Sequence, residues 1–290
     1  MYRPFTRQSV VKRVVVGENL PTAGRHQPHA NTMMIKYFFS ELLTRNPILY
    51  YFGWTCAAGT LITAILWMIT TTEVNNISAW IKPFKFFLST TILMWTLAWY
   101  LGYLPATKSV QAFVWVTVGV FVFELVYISI KAGQGELSHF NISSAFSGMM
   151  FSLMGLAISV FTLYTAYIGW LFFTSDFPAL PISYVWAIRF GFVIFVIFAF
   201  EGGMMGSRLS HTVGAADGGP GLPFLNWSVT HGDLRVAHFI GMHALQLLPL
   251  LAFYLIQNTR GVIAIALVYA LLAFFVLWQA LQSVPLVKGG

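Results

Sequence analysis

Runs of about 20 mostly apolar residues recur along this chain between short polar breaks, and that is the length a helix needs to cross a hydrocarbon core. Seven such runs lie near residues 48–71, 86–104, 110–130, 144–173, 183–205, 235–257 and 262–282. Composition agrees. Hydrophobic residues fill 58% and charged residues 9% of the 290 positions, where soluble chains carry roughly half apolar and a quarter charged. The expected fold is all-α, a polytopic transmembrane bundle of about seven helices over residues 48–282, with the lipid bilayer as its partner and no soluble domain. Nothing in the chain points to nucleic acid.

Residues 1–32 stand apart, with five Arg or Lys against one acid and no apolar run long enough for a secretory signal. They read as a basic, disordered tail, residues 33–47 as an interfacial segment and 283–290 as a short C-terminal tail. An organelle-type presequence, or a start at Met33 or Met34, is the alternative for the first stretch. The single Cys56 lies within the first span, which leaves no intrachain disulfide framework and no thiolate cluster. Asn46-Pro47 offers a cap and a first helical residue for span one. Ser109, Asn141, Ser183 and Asp233 are the expected caps of spans three to six. Pro249 should kink span six and free the carbonyl of Leu245.

Seven crossings put the breaks after spans 1, 3 and 5 on one side, and the N-terminus with the other breaks on the opposite side. The two sides differ. GYLPATKS, TSDFPALPIS and QNTRG are brief, whereas TTEVNNISAWIKPFK, KAGQGELSHFN and SRLSHTVGAADGGPGLPFLNWSVTHGDLR carry or adjoin His139, His211, His231, His238 and His243. One polar site at a single membrane face is expected. Basic residues favour cytoplasmic loops. The N-terminal side has nine of them with the tail and four without it, against six opposite. That count favours a bacterial inner membrane protein with a cytoplasmic N-terminus and a periplasmic or extracellular polar face, and it reverses without the tail.

Spans three and five end alike, FVFELVYISIK leading to LSH and FAFEGGMMGSRLSH. Glu124 and Lys131 thus match Glu201 and Arg208, each pair seven residues or two helical turns apart, and His139 matches His211. A carboxylate two turns inside a span should face the bundle interior and find a partner. Arg189, two turns into span five from the other side, should pair with a carbonyl or snorkel.

Helix N-termini near Phe86, Ser144 and Arg235 point at the polar face, and helix N-termini favour anions. With Lys82, Lys85, Lys131, Arg208 and Arg235 they suggest an anionic small molecule or a lipid headgroup. A divalent metal is the rival, with His139, His211, His238 and His243 as candidate ligands. His238 and His243 are five residues apart and face different ways on a helix, so a metal would need ligands from several loops. Haem would need histidines on two helices at similar depth. Span seven has no lysine for retinal, and GAADGGPGLP lacks the Lys-Ser or Lys-Thr of a phosphate loop. Ser207 to His211 within seven spans resembles the membrane hydrolases that include alkaline ceramidases and adiponectin receptors. Their paired histidines in the last span are missing here.

KPFKF, LSHFN, HTVGAADGGPGLP and GDLRVAHFIGMHALQLLPLL together resemble a family of bacterial polytopic integral membrane proteins with no assigned activity, over roughly residues 48–257. The resemblance implies the spans and polar loops and supplies no reaction. The leading expectation is a membrane-embedded enzyme acting on an anionic or lipid-like substrate, with or without a metal. His139, His211, His238, Glu124 and Glu201 would be its acid–base groups. An ion- or solute-coupled transporter, or an accessory or haem-binding subunit of a membrane complex, are the alternatives.

Overall fold

The computed structural model describes residues 28–289. Most of the expected basic tail lies outside them. Helix α1 (Pro28–Arg45) precedes seven longer apolar helices: α2 (Pro47–Ile69), α3 (Ile81–Leu101), α4 (Lys108–Gln134), α5 (Ala145–Thr174), α6 (Ile182–Arg208), α7 (Leu234–Tyr254) and α8 (Thr259–Leu281). Each of the seven is long and apolar enough to cross a membrane, and the protein is a helical polytopic bundle. Residues 28–32, grouped with the tail by charge, open α1 instead. Arg45 ends that helix by donating from Nη1 to the Trp99 carbonyl at 3.0 Å, its guanidinium stacked on the Trp99 and Tyr103 rings. This ties α1 to the end of α3.

Two short antiparallel pairs sit on the opposite face. Strands β1 (Glu73–Val74) and β2 (Ile77–Ser78) form a hairpin between α2 and α3. Strands β3 (Thr212–Val213) and β4 (Gly232–Asp233) close the long α6–α7 loop, with Thr212 opposite Asp233.

Helix starts follow the cap chemistry with four differences. Asn46 accepts from Leu49 N, and Asp233 from Arg235 N. Span three is capped by Thr107, not Ser109, because the helix already begins at Lys108. Ser144 caps α5, while Asn141 makes a local turn, accepting from Ser143 N and Oγ at 3.1 and 2.6 Å. Pro181 occupies the cap position of α6 and Ser183 is buried in its first turn. The largest difference is α3, which starts at Ile81 and not near Phe86. Pro83 is compatible with a first helical turn, where its missing N–H breaks no bond. Lys82 and Lys85 therefore stand on the helix, three residues apart on neighbouring surface.

Sequential helices pack on one another around a core that includes Phe113, Phe161, Phe172, Phe192, Phe195 and Phe198. Helices α6 and α7 approach closely. A side chain at Gly191 would lie 3.1 Å from Leu245 Cα and 3.2 Å from the Ala244 carbonyl, so glycine lets the two backbones meet. Helix α7 continues through Pro249, and the carbonyl this proline frees, that of Leu245, accepts from the Tyr100 hydroxyl of α3 at 2.8 Å. Arg189 donates from Nε to the Phe172 carbonyl at 2.8 Å. Outward faces are apolar, as Leu61, Met68 and Leu271 illustrate. A bilayer satisfies such surface.

Candidate functional site

The polar face is built from the β1–β2 hairpin, the N-termini of α3, α5 and α7, the C-termini of α4, α6 and α8, and the α6–α7 loop. Three histidine–carboxylate pairs lie on or just below it. In the first, Glu124 of α4 is 2% exposed and its Oε2 lies 3.9 Å from His139 Nε2. Asn141 shapes the loop that carries His139, donating to the Leu137 carbonyl at 3.0 Å and accepting from Ser143. The imidazole has Ser138 Oγ 3.2 Å from Nδ1 and the rings of Phe86, Phe140 and Phe151 around it. Burial, and then the charge of Lys82, hold His139 well below the usual imidazole range. It is a neutral ring beside a carboxylate whose other oxygen, Oε1, has no hydrogen-bond donor among the described residues.

The second pair joins the two ends of the long loop. His211 Nδ1 is 3.2 Å from Asp217 Oδ1 and 3.9 Å from Asp233 Oδ1. Asp217 accepts from Ser210 Oγ at 2.8 Å, Thr212 N at 2.9 Å and His211 N at 3.3 Å. Burial raises its carboxyl, but the His211 charge and these hydrogen bonds outweigh it, so Asp217 sits below its ordinary range. His211 is pushed down to about 4, by burial first and then Arg235, against the pull of Asp233 and Asp217. Asp217 and Thr212, whose Oγ1 lies 3.3 Å from the same ring nitrogen, thus hold His211 between them. The place of Asp217 six residues on, in a glycine-rich loop, carries no signal of that partnership.

The third pair is Glu201 and His238, with Nδ1 3.3 Å from Glu201 Oε2. That nitrogen donates to the Phe198 carbonyl at 2.7 Å, since a carbonyl can only accept. Neither Glu201 oxygen has a hydrogen-bond donor among the described residues: the 3.3 Å approach to Nδ1 is an ion-pair distance without hydrogen-bond alignment.

The cations divide. Lys85 donates to the Phe224 and Leu225 carbonyls, both at 3.2 Å. Arg235 clasps Asp233 through Nη2 at 2.6 Å and Nε at 2.9 Å, and also reaches the Asn226 carbonyl. Lys131 pairs with Glu136 at 2.7 Å and not with Glu124. Three of the five expected anion ligands are therefore engaged in holding loops, because backbone carbonyls and acids lie nearer to them than open space does. Arg208 is exposed, beside a pocket of about 430 Å³ that Asn75, Ser210, Thr212 and Asp217 also line. Lys82 is half-buried and makes no hydrogen bond or ion pair among the described residues. Its ammonium is 5.8 Å from the Phe86 ring. Glu124 is the charge it feels most, followed by Arg235, Lys85 and Asp217, and it acts in turn on both His139 and His211.

No family model, curated protein or solved structure matches the chain. The geometry alone carries the chemistry. The four histidines proposed as metal ligands do not gather: among the described residues no three His, Cys, Asp or Glu side chains could hold a metal together. Each histidine has its own carboxylate, except His243, which donates to the Phe239 carbonyl at 2.8 Å and stacks on the Phe239 ring. His238 and His243 share α7, so they do not offer haem the two facing helices it would need. The repeat of spans three and five is also only partial. Both helices end in a left-handed residue, Gly135 and Leu209, but Glu124 meets the loop histidine His139, whereas Glu201 meets His238 of the next helix.

Proposed function

We propose that the protein binds an anionic small molecule or lipid headgroup at its polar face and moves a proton to or from it, as a membrane-embedded enzyme would. Lys82 carries this reading. Its half-buried ammonium has no hydrogen-bonded partner among the described residues, and Glu124, the charge that acts on it most, is buried with one unpartnered oxygen. An ammonium only donates and a carboxylate only accepts, so an oxyanion with an exchangeable proton would satisfy both. Lys82 holds the anion, Glu124 takes or returns the proton, and the neutral His139 relays it. Asp217 orients His211 as a second neutral base, in the manner of carboxylate-supported histidines generally. Arg208, at the exposed pocket, attracts the ligand. The chain sits in a bacterial inner membrane with its N-terminus in the cytoplasm and the site outside.

Extraction of the purified protein, followed by mass spectrometry of small anions and lipids, tests this. An anion or anionic lipid should co-purify with wild type and be depleted several-fold in Lys82→Gln. Equal retention by both proteins removes Lys82 from the site. Coupled transport is favoured by one feature, the placement of two carboxylate–histidine pairs within or beside spans. Uptake into proteoliposomes that is abolished by Glu124→Gln would put transport first.

A further inference from the structure

The anion reading leaves one buried acid without work. Glu201 is 6% exposed, seven residues and so about 10 Å along α6 from Arg208, and both of its oxygens lack a donor. A carboxylate in a span needs a positive charge or a proton against it. The groups that could supply one are few. Helix α5 contains no charged residue or histidine, and α8 has only Arg260, at its far end. On α6 itself, Arg208 is exposed at the helix end and Arg189 is bound to the Phe172 carbonyl. On α7, Arg235 is clasped by Asp233 and His243 is turned onto Phe239. Among the described residues, His238 is the group at ion-pair distance from Glu201.

The backbone is shaped for that meeting. His238 Nδ1 is fixed as a donor by the Phe198 carbonyl. A side chain at Gly202 would lie 3.0 Å from His238 Cε1, tighter than ordinary contact. Gly202 therefore leaves the space the ring fills. His238 Nε2 has no hydrogen-bond partner among the described residues, and the ring is 30% exposed while the Glu201 side chain is 4% exposed. The imidazole is the member of the pair that reaches the surface.

We propose that Glu201 and His238 form a proton-binding site at the edge of the membrane, in which one proton is held by the pair and exchanged at the imidazole. With that proton the pair is neutral, either as carboxylate and imidazolium or as carboxyl and imidazole. Loss of the proton to water through Nε2 leaves one negative charge buried between α6 and α7. The proton is the ligand, and no other reactant is required. This site is independent of the anion reading, since neither Lys82 nor Glu124 belongs to it.

Infrared difference spectra of the full-length protein in lipid nanodiscs, recorded across a pH titration in H2O and D2O, test the proposal. A carboxyl or carboxylate band that changes with the protonation of the pair should be present in wild type, lost in Glu201→Gln and retained in Glu124→Gln. Gly202→Ala, which keeps the acid but crowds the ring, should shift its midpoint. An unchanged titration in both Glu201→Gln and Gly202→Ala would overturn the proposal. So would loss of the whole signal in Glu124→Gln. If Glu201→Gln does not fold, the Gly202→Ala shift decides alone.

Discussion

His211 couples proton binding to the integrity of the polar face. Its imidazole is pushed down to about 4 in the folded protein, against an ordinary 6.5. Between those values the unfolded chain binds a proton that the folded chain refuses, so stability rises with pH across that window. It is full above pH 6.5 and is lost progressively as pH falls toward 4, by an amount on the order of 1 to 3 kcal/mol. His139, also held down by burial, adds in the same sense. Asp217 acts elsewhere, because its depressed carboxyl gives up stability only below its ordinary 3.8. Thermal unfolding in detergent should therefore show a melting temperature that drops between pH 7 and 4.5, and His211→Gln should flatten part of that drop. An identical pH profile in wild type and His211→Gln would remove this role. Asp217→Asn should lower the melting temperature even at pH 7.5, since a neutral amide is a poorer acceptor for Ser210, Thr212 and the His211 amide. A loss of about 1 to 3 kcal/mol is the expected range for weakened buried hydrogen bonds to a charged group.

Helices were more legible than their partnerships. The seven spans, the Asn46 and Asp233 caps and the carbonyl bond of Arg189 follow from apolar length, cap chemistry and the cost of a buried charge. The start of α3 did not, because Lys82-Pro83-Phe84-Lys85 reads as polar loop until proline is allowed in a first turn. Residue pairings were harder still. Lys131 stands two turns from Glu124, yet it bonds Glu136 across the C-cap. His238 belongs to Glu201 only because α6 and α7 approach closely, a tertiary fact that neither segment encodes alone. Pro249 shows the reverse, where a single residue forecasts a long-range bond. Its freed Leu245 carbonyl takes the Tyr100 hydroxyl in the core, so Tyr100→Phe should cost about 1 to 3 kcal/mol. Pro249→Ala restores an N–H four residues after Leu245, and in that background the same change should cost much less. Equal melting-temperature losses in both backgrounds would show that the hydroxyl serves another partner.

The whole bundle is asymmetric across the membrane. Each of the pairs His139–Glu124, His211–Asp217 and His238–Glu201 lies on or near one face, and the loops opposite are short and carry no histidine. Seven crossings require residues such as Glu73 and Gly219 to lie on one side and Lys108 and Asp176 on the other. Cys56, the single cysteine, is buried, so introduced cysteines can be read against a quiet background. In sealed vesicles, a membrane-impermeant maleimide should label Glu73→Cys and Gly219→Cys from the same side, and Lys108→Cys and Asp176→Cys only from the other. Within this frame, the proposed anion site rests on Lys82, half-buried at the start of α3. Thermal stabilisation of the full-length protein by inorganic phosphate, and by phosphatidylglycerol in place of phosphatidylcholine in nanodiscs, puts that dependence to a measurement. At least one of these anions should raise the melting temperature saturably in wild type and in a Lys36→Gln control, and fail to do so in Lys82→Gln. Stabilisation of equal size in Lys82→Gln, or none by either anion in wild type, would contradict an anion site at Lys82.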